Sequence, residues 1–210
     1  MSKAFIKICG LTDPGMALEA AHAGADFIGL VFHPASKRHV TRTQATLISS
    51  ALAATQAKPV AVFKEHSATE MRTICEECHI QIVQLHGVRS RTEHSLLPQE
   101  IQRIYVQSLS SSETVPMNSE VLQCDPQRDY LLFDHARPGN GLCFDWKSFS
   151  YHGPFPWFLA GGLNIKNVAQ AMQQLQSTGV DVSSGVESSP GTKDLNLIKK
   201  FIKEVNHHEK

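Results

Sequence analysis

Two late strings, Gly161-Gly162 and Ser183-Ser184-Gly185, have the composition of an anion cradle. Glycine lets backbone N–H groups approach a phosphate closely, a helix start just beyond adds a favourable dipole, and serine adds hydroxyls. Either string alone also reads as an ordinary turn; the pair, in this order, points to a phosphorylated small molecule. Two further residues close apolar runs. Cys9 ends Phe5 to Cys9, where a cysteine is either a small apolar filler or, with positive charge nearby, a thiolate able to act as base or nucleophile. Asp134 follows Tyr130 to Phe133, and a carboxylate in that place is paired, hydrogen-bonded or functional. Partial burial would raise its pKa into the range useful for a general acid, with a loop-anchoring aspartate as the alternative.

Such residues act together only if the fold brings them to one end of a scaffold. Eight short apolar runs recur: Phe5 to Cys9, Phe27 to Phe32, Val60 to Phe63, Ile82 to Leu85, Ile104 to Val106, Tyr130 to Phe133, Trp157 to Ala160 and Val180 to Val182. Several are nearly continuous in apolar character, as strands buried on both faces of a parallel sheet are. Between them lie helix signals. Asp13 precedes Pro14, with Gly24 as the stop, and Thr41/Gln44, Ser67/Glu70 and Ser90/Glu93 have capping-box spacing. Asn164 and Asp194 read as N-caps of the last two helices. The fifth unit is the least regular, and a short helix near Asn118 to Gln123 is expected there. Strand and helix alternating eight times leaves an open doubly wound sheet or a closed barrel. Eight units, with the glycine-rich signals late and not after the first strand, favour an α/β fold of the second kind, a (β/α)8 TIM barrel formed as one domain over residues 1–210, with a frayed tail at 205–210. The C-terminal strand ends of such a barrel face the active site, which adds His33, Lys64, His86 and Gln107 to the mouth.

Composition narrows the partners. Twenty Lys and Arg balance twenty Asp and Glu in the 210 residues, so no field of one sign steers the chain to nucleic acid or an anionic membrane face. No stretch approaches the roughly 20 apolar residues that span a bilayer. Five scattered cysteines suit reduced thiols, and the chain is expected to be cytoplasmic and monomeric rather than homodimeric. Cys75-Glu76-Glu77-Cys78-His79 looks like a metal half-site but lacks a second pair, and reads as a helix capped by Ser67; no metal is expected. His207-His208 carries no stronger reading.

The order of motifs resembles the phosphoribosylanthranilate isomerases, barrel enzymes of tryptophan biosynthesis. The strings are Lys7 to Thr12; Gly24-Ala25-Asp26 and Gly29 to Phe32, on to Pro34, Ser36, Arg38 and Val40; Val83 to Gly87; Leu131 to Asp134; Gly139-Asn140-Gly141 with Phe144 to Trp146; Leu159 to Asn164 with Asn167-Val168; and Val180 to Glu187, Ser189 to Gly191 and Lys193-Asp194. Together they run from Lys7 to about Phe201. The resemblance implies a cofactor-free Amadori rearrangement of N-(5-phosphoribosyl)anthranilate, with Asp134 as general acid and Cys9 as general base. It further implies Arg38 on the anthranilate carboxylate, the phosphate at Gly161, Gly162, Ser183, Ser184 and Gly185, and His86 and Asp181 lining the pocket. The glycines of 136–142 make that loop a candidate lid.

Departures from the family pattern are His33 in place of a frequent tyrosine, Phe63-Lys64-Glu65, and His135, one residue from the acid and able to shift its pKa. Residues 103–126 match poorly. Competing readings are another phosphosugar barrel, such as the histidine-pathway aminoaldose isomerase or indoleglycerol-phosphate synthase, and a catalytically silent barrel that binds phosphoribosyl ligands. Cys9 together with Asp134 discriminates against each.

Overall fold

The computed structural model describes residues 3–109, 121–135, 146 and 148–207. Eight parallel strands close into a barrel in chain order: β1 (Phe5–Cys9), β2 (Phe27–Val31), β3 (Lys58–Phe63), β4 (Ile82–Leu85), β5 (Gln102–Leu109), β6 (Tyr130–His135), β7 (Trp157–Leu159) and β8 (Gly179–Val182). The ring shuts where β8 pairs with β1, with Lys7 opposite Asp181. Helices cover its outside: α1 (Pro14–Ala23), α2 (Arg42–Leu52), α3 (Ala68–Cys78), the short α4 (Val88–Thr92), α5 (Val168–Leu175) and α6 (Leu195–His207). A small antiparallel pair, β9 (Glu187–Ser189) with β10 (Thr192–Lys193), sits between β8 and α6. The (β/α)8 barrel expected from the sequence is the fold.

Local chemistry sets the helix ends. The Met16 N–H donates to the Asp13 carboxylate at 2.7 Å, and Gly24 takes the left-handed conformation at φ 113 that ends α1. Thr41/Gln44 and Ser67/Glu70 close as full capping boxes. Ser90/Glu93 does not. Ser90 is buried inside α4, where its hydroxyl accepts from the Gly87 N–H, while Glu93 reaches across to accept from the Ala68 N–H and so caps the start of α3. Asp194 caps α6, accepting from Asn196 and Leu197 N–H. Asn164 caps a turn instead, accepting from Lys166 N–H, and α5 begins four residues later.

In the fifth unit a single 3-10 turn, Val121–Gln123, takes the place expected for a helix; positions 118–120 lie outside the described residues. The tail expected to fray is helical through His207, with Val205 fully buried, and 208–210 lie outside the described residues. The candidate lid at 136–142, the string 139–141 and positions 144–145 also lie outside them.

Successive strand residues face opposite sides, so the barrel has two cores. Outward residues such as Ile6, Ile8, Phe63 and Phe133 pack on the helices against Ile48, Met71, Ile198 and Phe201. Inward residues fill the lower barrel with Phe27, Val60, Ile82, Ile104, Leu132 and Phe158, and the Phe5, Phe27, Tyr130 and Phe158 rings meet tilted or edge to face. This apolar plug makes the interior a floor, not a pore. The same alternation carries Lys7, Cys9, Gly29, Gln84, His86, Asp134 and Asp181 inward above it. Gln107 falls on the other parity: β5 runs beyond Val106, and Gln107 turns towards the helices with its buried Nε2 lacking a hydrogen-bond partner among the described residues.

Candidate active site

Above the plug lies a buried polar layer. Lys7 is fully buried, and its ammonium donates to Asp181 Oδ1 at 2.8 Å. Burial disfavours the Lys7 charge, yet Asp181 and the Cys9 sulfur outweigh it and hold the pKa above its ordinary value. Cys9, two residues up the same strand, is also buried. Burial pushes its thiol up; the Lys7 ammonium is the strongest opposing influence, Asp181 adds to the rise and Lys193 opposes it.

Asp134 stands on β6, two strands from Asp181. Burial, reinforced by the Asp181 charge, lifts its carboxyl from 3.8 to about 7; the His135 N–H and Lys7 pull the other way. His135 thus reaches the acid through its backbone N–H. Gly161 presses on the pair: a Cβ there would lie 2.9 Å from His135 N and 3.0 Å from Asp134 Oδ1, and φ is +87. His86, at the end of β4, is pushed down to about 4, chiefly by burial, so it is a neutral imidazole near pH 7 and offers hydrogen bonds rather than charge.

Gly161 and Gly162 both take left-handed conformations, φ +87 and +68, which explains the glycine pair. The side-chain amides of Asn164 and Asn167 donate to the Gly162 carbonyl and so hold the loop. Gly185 is packed so tightly that a Cβ would overlap the Leu163 carbonyl oxygen, so the last two strand-end loops are one contiguous surface. The N–H groups of Gly162 and Gly185 donate to no described residue. Ser183 has a different part from the one its type implied. Its hydroxyl donates to the Cys9 carbonyl at 3.0 Å and lies 3.2 Å from Lys193 Nζ, so it ties loop eight to β1 instead of lying free in the cradle.

Arg38 lies over Gly10, where a Cβ would stand 2.5 Å from the arginine Cδ, beside the Cys9 end of the mouth. Its Nε and Nη2 donate to the Glu187 carboxylate at 2.6 and 2.9 Å, and Nη1 donates to no side chain or backbone group among the described residues. Burial alone would raise the Glu187 carboxyl, but hydrogen bonds from Arg38 and Lys193 hold it down at about 2. The Lys193 ammonium, 2.8 Å from both Glu187 Oε1 and the Ser183 carbonyl, joins these parts.

Of the residues singled out in the sequence, Cys9, His86, Asp134 and Asp181 gather within the mouth, with Arg38 and both glycine loops at its rim. Sequence reasoning assigned no part to Lys7, Glu187 or Lys193. Lys7 had a readable signal, a charge in the middle of Phe5 to Cys9, which must find a partner if the strand is buried. Glu187 and Lys193 sit in a polar stretch that gives no such signal. Cys75 and Cys78 are buried in α3, and among the described residues no three His, Cys, Asp or Glu side chains gather as a metal site.

The family model described as N-(5'phosphoribosyl)anthranilate (PRA) isomerase matches residues 6–204. The chain belongs to that family. The isomerase family has a relative in Neisseria gonorrhoeae, an N-(5'-phosphoribosyl)anthranilate isomerase 38% identical over 210 residues, 98% of each chain. A solved phosphoribosyl anthranilate isomerase, in complex with reduced 1-(o-carboxyphenylamino)-1-deoxyribulose 5-phosphate, is 31% identical with a TM-score of 0.77 over 97% of this chain and 99% of that one. Another, from Thermotoga maritima, superposes with a TM-score of 0.80 at 30% identity, over 97% and 99%, and is described as monomers generated from a dimeric enzyme. Membership makes this chain an enzyme, an isomerase of tryptophan biosynthesis. No helix among the described residues is long and apolar enough to cross a membrane.

Proposed function

We propose that the chain converts N-(5-phosphoribosyl)anthranilate to 1-(o-carboxyphenylamino)-1-deoxyribulose 5-phosphate, with Asp134 as general acid and Cys9 as general base. The observation that carries the assignment of roles is the presence in one mouth of two buried groups able to move protons: a carboxyl lifted to about 7 and a thiol beside a buried ammonium. Asp134 protonates the furanose ring oxygen, the bond from that oxygen to C1′ breaks, and a Schiff base forms. The Cys9 thiolate then removes the C2′ proton. The resulting enolamine tautomerises to the ketone. No cofactor takes part in these steps. Arg38 meets the anthranilate carboxylate through Nη1, a planar donor that Glu187 holds in place. The phosphate rests on the Gly161-Gly162 and Ser183 to Gly185 loops, and His86 and Asp181 line the space between.

Freshly prepared N-(5-phosphoribosyl)anthranilate should lose its anthranilate fluorescence on mixing with the chain. A chain that binds this compound without consuming it would be the silent barrel instead. The cradle makes a separate prediction. Gly185→Ala forces a Cβ into the Leu163 carbonyl and parts the two loops, so KM should rise tenfold or more with a smaller fall in kcat. Steady-state kinetics checks this, and an unchanged KM would move the phosphate elsewhere.

A further inference from the structure

Lys7 is a fully buried ammonium, and a salt bridge to Asp181 alone is a weak reason for it to be there, since a buried pair is often no better than apolar residues of the same size. Its surroundings supply another. Gly29 on β2 lies opposite Cys9, and a Cβ placed on it would stand 2.7 Å from Cys9 Sγ and 3.1 Å from Lys7 Nζ. Sulfur and ammonium therefore flank one small space, and they do so only because residue 29 has no side chain. On its other side the ammonium is fixed by Asp181, the residue directly across the β1–β8 seam. We propose that Lys7 is the built-in counter-ion of the Cys9 thiolate, anchored by Asp181 and admitted to the sulfur by the side-chain-free Gly29.

The charged groups facing Cys9 are Lys7 from its own strand, Asp181 from β8, Lys193 from β10 and Arg38 from the loop after β2. Lys7 is the strongest of the cations acting on the thiol, and Asp181 the strongest charge acting on Asp134. Lys7 thus favours the thiolate of the proposed base, while Asp181 helps to keep the proposed acid protonated. Without Lys7, a thiolate forming in so dry a site would lose the strongest of the cations that compensate it. Lys7, Asp181 and Gly29 are positioning residues here, acting through Cys9.

This inference rests on the proposed role of Cys9, so its test reads the thiol and not only turnover. The rate of iodoacetamide modification of Cys9 in the full chain, followed from pH 7 to 11.5 by mass spectrometry of the Cys9 peptide, gives the titration midpoint of that sulfur alone, which starts above 9.0 in the unmodified protein. Lys7→Met should raise the midpoint by one pH unit or more and lower kcat/KM near pH 7 at least tenfold, while Lys7→Arg should recover part of both. Gly29→Ala, which crowds the sulfur away from the ammonium, should also raise the midpoint. If Lys7→Met fails to fold because Asp181 is left unpaired, Lys7→Met/Asp181→Asn removes both charges and should show a smaller rise, since the lost Asp181 charge itself pushed the thiol up less strongly than Lys7 held it down. An unshifted midpoint in the folded variants overturns the proposal. A raised midpoint in a protein whose Cys9→Ser variant keeps full activity would leave the contact intact and sink the catalytic reading instead.

Discussion

Replacing Asp134 by asparagine is expected to slow turnover by two to four orders of magnitude and, above pH 7, to make the protein more stable. The first effect is the loss of a positioned acid, worth about 10²- to 10⁴-fold. The second follows from the carboxyl's lift from 3.8 to about 7 on folding. Between those values the folded state binds a proton that the unfolded state has released, so the contribution of Asp134 is undiminished below about pH 4 and is lost as pH rises through 7. At 1.36 kcal/mol per pH unit the penalty above pH 7 is on the order of 4 kcal/mol, and asparagine, which cannot ionise, escapes it. Urea unfolding at several pH values checks this. The stability advantage of Asp134→Asn should be small at pH 4, grow up to about pH 7 and then level off; an advantage independent of pH would mean that the carboxyl is not raised.

Cys9→Ser is expected to cost a similar two to four orders of magnitude in kcat, for a different reason. Serine keeps the size of the side chain and can still fill the space above Gly29, but its hydroxyl does not ionise in the working pH range, so the base is lost while the site keeps its shape. Substrate affinity should change little, because the binding groups assigned here are Arg38 and the two glycine loops. In the unmodified enzyme the competent form carries a protonated Asp134 and an ionised Cys9. Asp134 is raised only to about 7, whereas Cys9 lies above its ordinary value of 9.0. That form is then a minority at any pH, and kcat/KM should fall below about pH 7 and again above the thiol's pKa, with a flat region between. A large residual kcat in Cys9→Ser would place the base elsewhere.

Much of the architecture was legible because it depends on local pattern. The near-continuous apolar runs such as Phe27 to Phe32 read as strands buried on both faces, and eight of them in alternation with helices favoured a closed barrel over an open doubly wound sheet. Caps whose partners lie three residues away, Thr41/Gln44 and Ser67/Glu70, were equally readable. Ser90/Glu93 misled because the same spacing served a tertiary purpose, with Glu93 capping the neighbouring helix across a gap of 25 residues. Val205 to His207 looked like a polar tail because its one buried residue, Val205, packs against elements distant in sequence. At the site, Cys9 and Asp134 were visible as polar ends of apolar runs, and the glycine pair as a backbone demand. What stayed hidden was pairing across the barrel. Arg38 meets Glu187 149 positions away and Lys7 meets Asp181 174 away, so the sequence offered the charges without the contacts that determine what they do.

The claim that Cys9 takes a proton from carbon is tested most directly with substrate deuterated at C2′. The unmodified enzyme should show a primary isotope effect on the rearrangement in a single turnover, and Cys9→Ser should bind the same substrate while leaving its C2′ deuterium in place. Deuterium loss from C2′ at an undiminished rate in Cys9→Ser would contradict the account.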